Sequence, residues 1–440
     1  MKKKLTPNLL FFILSAVSVT AFLIEMSISG TTAGRSLFFG DTSDSFMDFY
    51  NVLACIATGR PYYCGGLFIY PPFVGIMLFP FLHMIPYTVI ENNLNWIASF
   101  SEIPIKYTVN LGKTMRLSQA GLVSLLLFLL LAVTVSAFLV SSFYKGKSGE
   151  KKFLILIILL SGGFLFEYER ANTIILAVIF LLIFVWLKDS KNFFLRELAL
   201  IALACAAGIK VYPAVFGLLL IRDKRWKDAI RAVIYGGLVM FLPFLLFGGR
   251  HSIRLLFDTL NTSNSGTYGT GLSFKVDLAN AVRTLGMLFG WSDEAVIDIC
   301  GKLSYALLLL AVVPVCTLKK EWKAVSLLAL AVILTPAFNF YYALSYIVIP
   351  VIVFLNARES GKSAFVPAVL FAILLSPAYI TVIPEINGLT TGQYGLSVMS
   401  MIQNMILVVF YIWLIAEGWV QFVKNRMKKP AVSADTAVTA

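Results

Sequence analysis

An all-α bundle of membrane-spanning helices, about 12–14 segments in all, is the fold class this sequence predicts, and three observations predict it. Hydrophobic residues make up 59% of the 440 and charged residues only 13%, with a mean hydropathy of +0.85. An average globular chain is about 45–50% apolar and about 25% charged. The apolar residues fall in runs, several of them near the roughly 20 residues that a bilayer crossing needs. The net charge of +13 is spread as short cationic clusters between those runs: Lys2-Lys3-Lys4, Arg222 to Lys227, Lys319 to Lys323, Arg358 with Lys362, and Lys424 to Lys429. Intrinsic disorder, coiled coil, collagen and an ordinary water-soluble enzyme are excluded. Residues 1–440 read as a single integral membrane domain.

Clusters of that kind are what the positive-inside rule produces. A nucleic-acid reader would gather its cations on one soluble face, and no soluble domain is large enough, so no nucleic-acid partner is expected. The first apolar run, 8–29, follows three lysines as in a signal peptide. It is long enough to span and lacks a small-residue cleavage pattern, so it is expected as a retained helix with a cytoplasmic N-terminus. A polar stretch, 30–70, then forms a first extracytoplasmic loop. Apolar segments follow at 72–86, 119–143, 153–166, 173–187, 198–221 and 229–247. A second extracytoplasmic loop is expected over 248–302, then segments at 303–318, 324–335, 337–355, 364–383 and 396–423. The small-residue tail 430–440 reads as disordered, and both termini as cytoplasmic.

Two of these segments, 153–166 and 173–187, are short, and polar Glu167-Tyr168-Glu169-Arg170-Ala171-Asn172 separates them. Polar backbone at depth is tolerated around a protein-lined or watery cavity, so the pair is expected to border a site. Simple counting leaves 145–152 and 188–196 outside, against the charge rule. An extra pass at 87–104, with 198–221 folded as a hairpin near Gly208 to Pro213, moves both clusters inside.

The first loop carries Asp41, Asp44 and Asp48 within eight residues. Helical spacing would set Asp44 and Asp48 on one face, and Tyr70-Pro71-Pro72 would redirect the chain before the next helix. A general base beside an aromatic platform of Phe49, Tyr50, Tyr62 and Tyr63 is one reading; a solvated acidic loop with interfacial aromatics is the other. Cys55 and Cys64 in the same loop fit either an extracytoplasmic disulfide or two free thiols.

The ordered motifs Asp48-Phe49-Tyr50, Gly59-Arg60-Pro61-Tyr62 and Tyr70-Pro71-Pro72, followed by an apolar segment, resemble the GT-C glycosyltransferases. The branch they look like holds bacterial polyprenyl-phosphate-mannose and arabinofuranose transferases. Glu169-Arg170-Ala171-Asn172 is similar to that family's Gly-Gln-x-Asn segment, with Gly-Gln replaced. Gly208 to Pro213 with Arg225-Trp226 is similar to its Lys-x-Tyr-Pro and Arg-Trp segment. The likeness covers 44–229. It implies an inverting transferase of the bacterial cytoplasmic membrane, with a polyprenyl-phosphate sugar as donor and a hydroxyl of a lipid-linked or cell-envelope glycan as acceptor. It maps the catalytic role onto Asp48, with Asp44 as runner-up.

Such chemistry needs a carboxylate to take the acceptor's proton and cations to hold the departing phosphate. Lys210, within an apolar stretch, is the first candidate for the phosphate. Arg170 is next, although pairing with Glu167 or Glu169 would equally explain it. Arg60 would assist. Tyr50, Tyr62, Tyr70, Asn172, His251 and Lys275 are the remaining substrate-binding candidates. The Asn, Ser, Thr and Gly residues of 259–271 suit either a mobile lid or a plain linker, and Tyr341 and Tyr342 either a lipid donor or an interfacial turn. No nucleotide-binding loop and no Asp-x-Asp occurs, so neither a metal nor another cofactor is expected. The competing classes are a lipid-sugar transporter, for which an internal repeat would be expected and none is visible, and a polysaccharide polymerase or ligase.

Overall fold

The computed structural model describes residues 5–29, 43–97, 100, 103–264, 272, 274–290, 295–336, 339–377, 382–390 and 395–427. The three N-terminal lysines, Asp41, Ser265 to Gly271, Lys428, Lys429 and the expected tail lie outside the described residues. The chain is a helical bundle, as the composition requires. Its first helix, α1 (Pro7–Ser29), crosses from the end that holds Asn8 toward the end that holds Asp48. Then come α2 (Met47–Ala57), α3 (Phe73–His83), α4 (Tyr87–Ile97) and α5 (Ile105–Leu117), all too short to cross. Ser124 Oγ, about a turn into the next helix, donates to Phe81 O at 2.8 Å, and Ile103 N donates to Tyr63 O at 2.9 Å. The excursion 73–117 therefore stays at the Asp48 end.

α6 (Gln119–Phe143) crosses in one apolar run, its first turn capped by Ser118 Oγ accepting from Gly121 N at 3.0 Å. α7 (Ser148–Leu159) and α8 (Gly162–Arg170) return together over about 32 Å of helix at 1.5 Å per residue. The expected polar break at 167–172 is corrected here. Residues 167–170 are helical, and the interruptions fall at Ser161, which is extended, and at Ala171, which is left-handed with φ 47°. The reason is packing: a Cβ on Gly163 would lie 2.7 Å from Ser345 N and 2.9 Å from Leu344 C. The backbones touch there, and α8 starts afresh to allow it. Gly163→Ala is expected to cost about 1–3 kcal/mol, the usual range for overpacking, read as earlier thermal unfolding of the purified protein.

α9 (Ile174–Leu187) descends, and α10 (Phe193–Ile209), capped by Asn192 Oδ1 on Phe194 N at 2.9 Å, ascends. The chain then turns back through a 3-10 segment, Tyr212–Gly217, and α11 (Leu218–Arg222), so 198–221 is a hairpin about Lys210. α12 (Trp226–Phe241) rises again. The second expected loop, 248–302, is largely helical among its described residues. It contains two amphipathic helices, α13 (Gly249–Asn264) and α14 (Leu278–Leu288), and the start of α15 (Ala295–Thr317). Their apolar residues are spaced for one face only, so average polarity hides the helices.

α16 (Glu321–Leu334), the 3-10 segment Tyr341–Ile347 with α17 (Val348–Ala357), α18 (Phe365–Leu374) and α19 (Val398–Met427) complete the bundle. Before α19, four two-residue strands form antiparallel pairs, Val382–Ile383 with Leu396–Ser397 and Glu385–Ile386 with Leu389–Thr390. The expected segment 364–383 thus stops at Leu374 as helix.

Among the described residues, five helices are long and apolar enough to cross a bilayer: 7–28, α6, 226–245, 298–317 and α19. They form the periphery, with Val17, Leu130, Phe138, Val233 and Leu309 more than 60% exposed. The centre is built of α9, α16 and α17, which are almost wholly buried. These inner helices have only 10–14 residues. Protein rather than lipid covers their ends, so they need not match the bilayer thickness.

Candidate functional site

α2 presents the first acidic residues. Phe49 packs on Phe128 and Phe81 with ring centroids 5.0 and 6.1 Å away, and Tyr50 OH donates to Gly121 O at 2.9 Å. These contacts fix the buried side of α2, and Asp48 lies on the other, with 20% of its side chain exposed. Asp44 precedes the helix in a turn that ends at left-handed Phe46. The shared helical face expected for the two aspartates is therefore not what joins them. Phe46 N donates to Glu169 O at 2.8 Å and Ser45 Oγ to Glu169 Oε1 at 3.0 Å, which ties the start of α2 to the end of α8.

Arg170, the last residue of α8, joins the two carboxylates. Its Nη2 is 2.5 Å and its Nε 3.2 Å from Asp48 Oδ1; its Nη1 is 2.6 Å from Asp44 Oδ2. The expected alternative, pairing with Glu167 or Glu169, does not take its hydrogen bonds. Asn172 follows the left-handed Ala171. Its Oδ1 accepts Ile174 N–H at 3.0 Å, and its amide donates to Asp48 Oδ2 at 2.7 Å and to Tyr70 OH at 3.2 Å. A carboxylate offers about four acceptor positions. Arg170 takes two on Oδ1 and Asn172 one on Oδ2, so one position on Oδ2 is left for an incoming hydroxyl.

Lys210 stands where α10 ends, with its Nζ 4.5 Å from the centroid of the Tyr70 ring. Its acidic neighbours are Asp48 and Glu167. Glu167 is 1% exposed; its Oε1 accepts Ile175 N–H at 3.2 Å, and its Oε2 has no hydrogen-bond partner among the described residues. Tyr342 also lies within electrostatic reach of Asp48, Tyr70, Glu167 and Arg170, and Tyr346 of Glu167. In the sequence Glu167 stands out only as a partner for Arg170, and Tyr346 does not stand out at all. A carboxylate in an apolar flank is the signal for the first; a tyrosine in an apolar run carries none.

The structure thus brings together Asp44, Asp48, Tyr70, Arg170, Asn172 and Lys210. It places the other candidates elsewhere. Tyr50 is fixed to α6. Tyr62 stacks on Phe244 at 5.6 Å and donates its OH to Tyr70 O at 3.0 Å. Arg60 donates to Phe100 O at 3.1 Å and covers the Tyr63 ring, whose other neighbour is His251, 5.7 Å away. Lys275 belongs to a second polar cluster with Asp277 and Arg283. Asp277 caps α14, accepting from Asn280 N at 2.7 Å. Burial pushes the Asp277 carboxyl up to about 6, against the bonds from Asn280 and Asn339, and pushes Lys275 down to about 8, with Asp277 opposing. Cys55 and Cys64 are buried free thiols, not a disulfide.

Carboxylates, a bridging arginine and a lysine converge at one end of an apolar helical bundle, which defines a membrane protein with a built polar site. The chain belongs to glycosyltransferase family 87, whose model matches residues 68–340, well over half the sequence. It is a membrane glycosyltransferase. Tyr70, Arg170, Asn172 and Lys210 fall inside the matched range, whereas Asp44 and Asp48 precede it. No curated protein and no solved structure matches the chain.

Proposed function

We propose that the protein is an inverting glycosyltransferase of GT-C type. It moves a monosaccharide from a polyprenyl-phosphate donor to a hydroxyl of a lipid-linked or cell-envelope glycan on the extracytoplasmic face of the bacterial cytoplasmic membrane. The acceptor oxygen attacks the anomeric carbon and gives its proton to Asp48 Oδ2. The bond to the phosphate oxygen breaks, and the electron pair leaves with the polyprenyl phosphate, whose charge Lys210 holds. Arg170 and Asn172 orient the base. No metal is invoked, because Arg170 already spans both carboxylates.

The observation that supports this reading best is an apolar groove of about 790 Å³ between α10, α11, α12, α13 and α15, which reaches the residue next to Lys210. Ala207, Val211, Gly236, Phe241, Phe244 and Leu309 line it. Val211 follows Lys210 directly, and Phe244 stacks on Tyr62, which bonds the backbone of Tyr70. A lipid chain in this groove would deliver its phosphate to Lys210. Sidedness is supported by charge: Lys145 N bonds Asn356, Lys188 pairs with Asp189 at 2.5 Å, Asp223 at 3.5 Å and Glu321 at 3.0 Å, and Lys323 pairs with Glu417. The basic clusters around Lys145, Lys188 and Lys323 thus share the end opposite Asp48, which the positive-inside rule assigns to the cytoplasm.

A Cβ built on Gly236 meets nothing within 4 Å, so a side chain there enters the groove without disturbing the fold. Gly236→Phe is expected to raise KM for a long-chain polyprenyl-phosphate sugar by about tenfold, on the order of one or two lost methylene contacts. A short-chain analogue should be affected much less. Equal KM for the long-chain donor in variant and wild type would remove the groove from the mechanism.

A further inference from the structure

At the end of the bundle opposite Asp48 a second cavity, of about 930 Å³, opens between the start of α1, the start of α7 and the turn joining α17 to α18. Its walls have two characters. Leu5, Leu9, Phe12, Phe153 and Phe365 form an apolar floor, and Lys147, Arg358 and Lys362 stand exposed around its lip. The acidic groups facing it are Glu150 and Glu359. Glu150 Oε2 accepts Tyr144 OH at 3.1 Å and Lys147 N at 3.2 Å, and Glu359 is taken by Lys320 at 2.5 Å and by Trp322 Nε1 at 2.9 Å. None of the three lip cations has a salt bridge among the described residues.

One further feature adds positive charge. The N-terminus of α7 opens on the cavity and adds its partial positive charge. The cavity therefore offers cations for an anion beside an apolar floor. That combination fits a phospholipid with an anionic headgroup. Water or a soluble anion would leave the floor of leucine and phenylalanine unmatched.

We propose that this cavity binds one anionic phospholipid of the leaflet opposite the Asp48 site, its phosphate among Lys147, Arg358 and Lys362 and an acyl chain along Phe12 and Phe153. The site is separate from the transfer machinery, so it stands or falls independently of the role of Asp48.

The test uses the purified full-length chain in detergent, titrated with phosphatidylglycerol, phosphatidylcholine or inorganic phosphate. Bound lipid is counted by native mass spectrometry, and stability is followed by thermal unfolding. Phosphatidylglycerol should bind saturably at one copy and raise the unfolding temperature; phosphatidylcholine and inorganic phosphate should do neither. Each lip cation near an anionic lipid is worth roughly fivefold in affinity. The triple variant Lys147→Gln, Arg358→Gln, Lys362→Gln should therefore weaken phosphatidylglycerol binding by about 100-fold, with basal sugar transfer unchanged. Gly149→Trp fills the cavity with the charges intact, since a Cβ at Gly149 meets nothing within 4 Å, and should abolish the one-copy binding. Phosphatidylcholine binding as well as phosphatidylglycerol, an unaffected triple variant, or undiminished binding to Gly149→Trp would each overturn the proposal. The last result would reveal diffuse surface charge in place of a site.

Discussion

Asp48→Asn is expected to lower the turnover of sugar transfer by at least about 100-fold, the low end of what a positioned general base contributes, without loss of folded protein. The substitution keeps the shape of the side chain and removes its capacity to take a proton. Asp44 still engages Arg170 at 2.6 Å, so the guanidinium is not abandoned inside the site. Phe49 and Tyr50 still pin α2. The assay is transfer of labelled sugar from polyprenyl-phosphate mannose, arabinose or glucose to membrane acceptors, with donor binding measured in parallel. Intact binding with lost turnover is the signature of a base. Near-wild-type transfer by the purified variant would end the assignment of Asp48, and Asp44, with 54% of its side chain exposed, would be tested next.

Lys210→Met has the second-largest expected effect, a loss of about 100-fold in kcat/KM. Removing one preorganised group that stabilises developing negative charge typically costs about 10²–10³ in rate. Arg170 cannot take over, because its hydrogen bonds are engaged by Asp44 and Asp48. Lys210 touches the Tyr70 ring and no carboxylate within salt-bridge distance among the described residues, so its ammonium is available to a phosphate. Methionine preserves most of the side chain's volume, which separates loss of charge from loss of packing. The decisive readout is inhibition by the product, polyprenyl phosphate. Its affinity should fall along with that of the donor, and an unchanged inhibition constant would show that the phosphate rests elsewhere.

Several members of the site are legible in the sequence, each for a local reason. Asp48 and Arg170 stand in short polar stretches beside apolar runs, and Lys210 interrupts one. An ionisable residue in such surroundings is costly enough to mark a functional candidate. Tyr50 and Tyr62 share an aromatic pattern that suits a sugar, yet their hydroxyls bond the backbone oxygens of Gly121 and Tyr70. Composition cannot distinguish an aromatic that faces a substrate from one that braces a helix. Polarity alone predicts that 167–170 break a helix, but these residues continue it, with Glu167 buried and Ser45 bonded to Glu169.

What the sequence by itself determined is the solvent: 59% apolar residues in runs, with cations between them, commit the chain to a lipid-embedded helical bundle. The contact that defines the site was decided only by tertiary structure. Arg170 meets Asp48 across 122 positions and Asn172 meets it across 124. The entropy lost in bringing such distant groups together is offset by burial of α8, α9 and α17 around them. Hydropathy and helical periodicity are sums over neighbouring residues and register which segments enter the bilayer. The pairing of their ends depends on how the many segments share one interior, which no local sum contains.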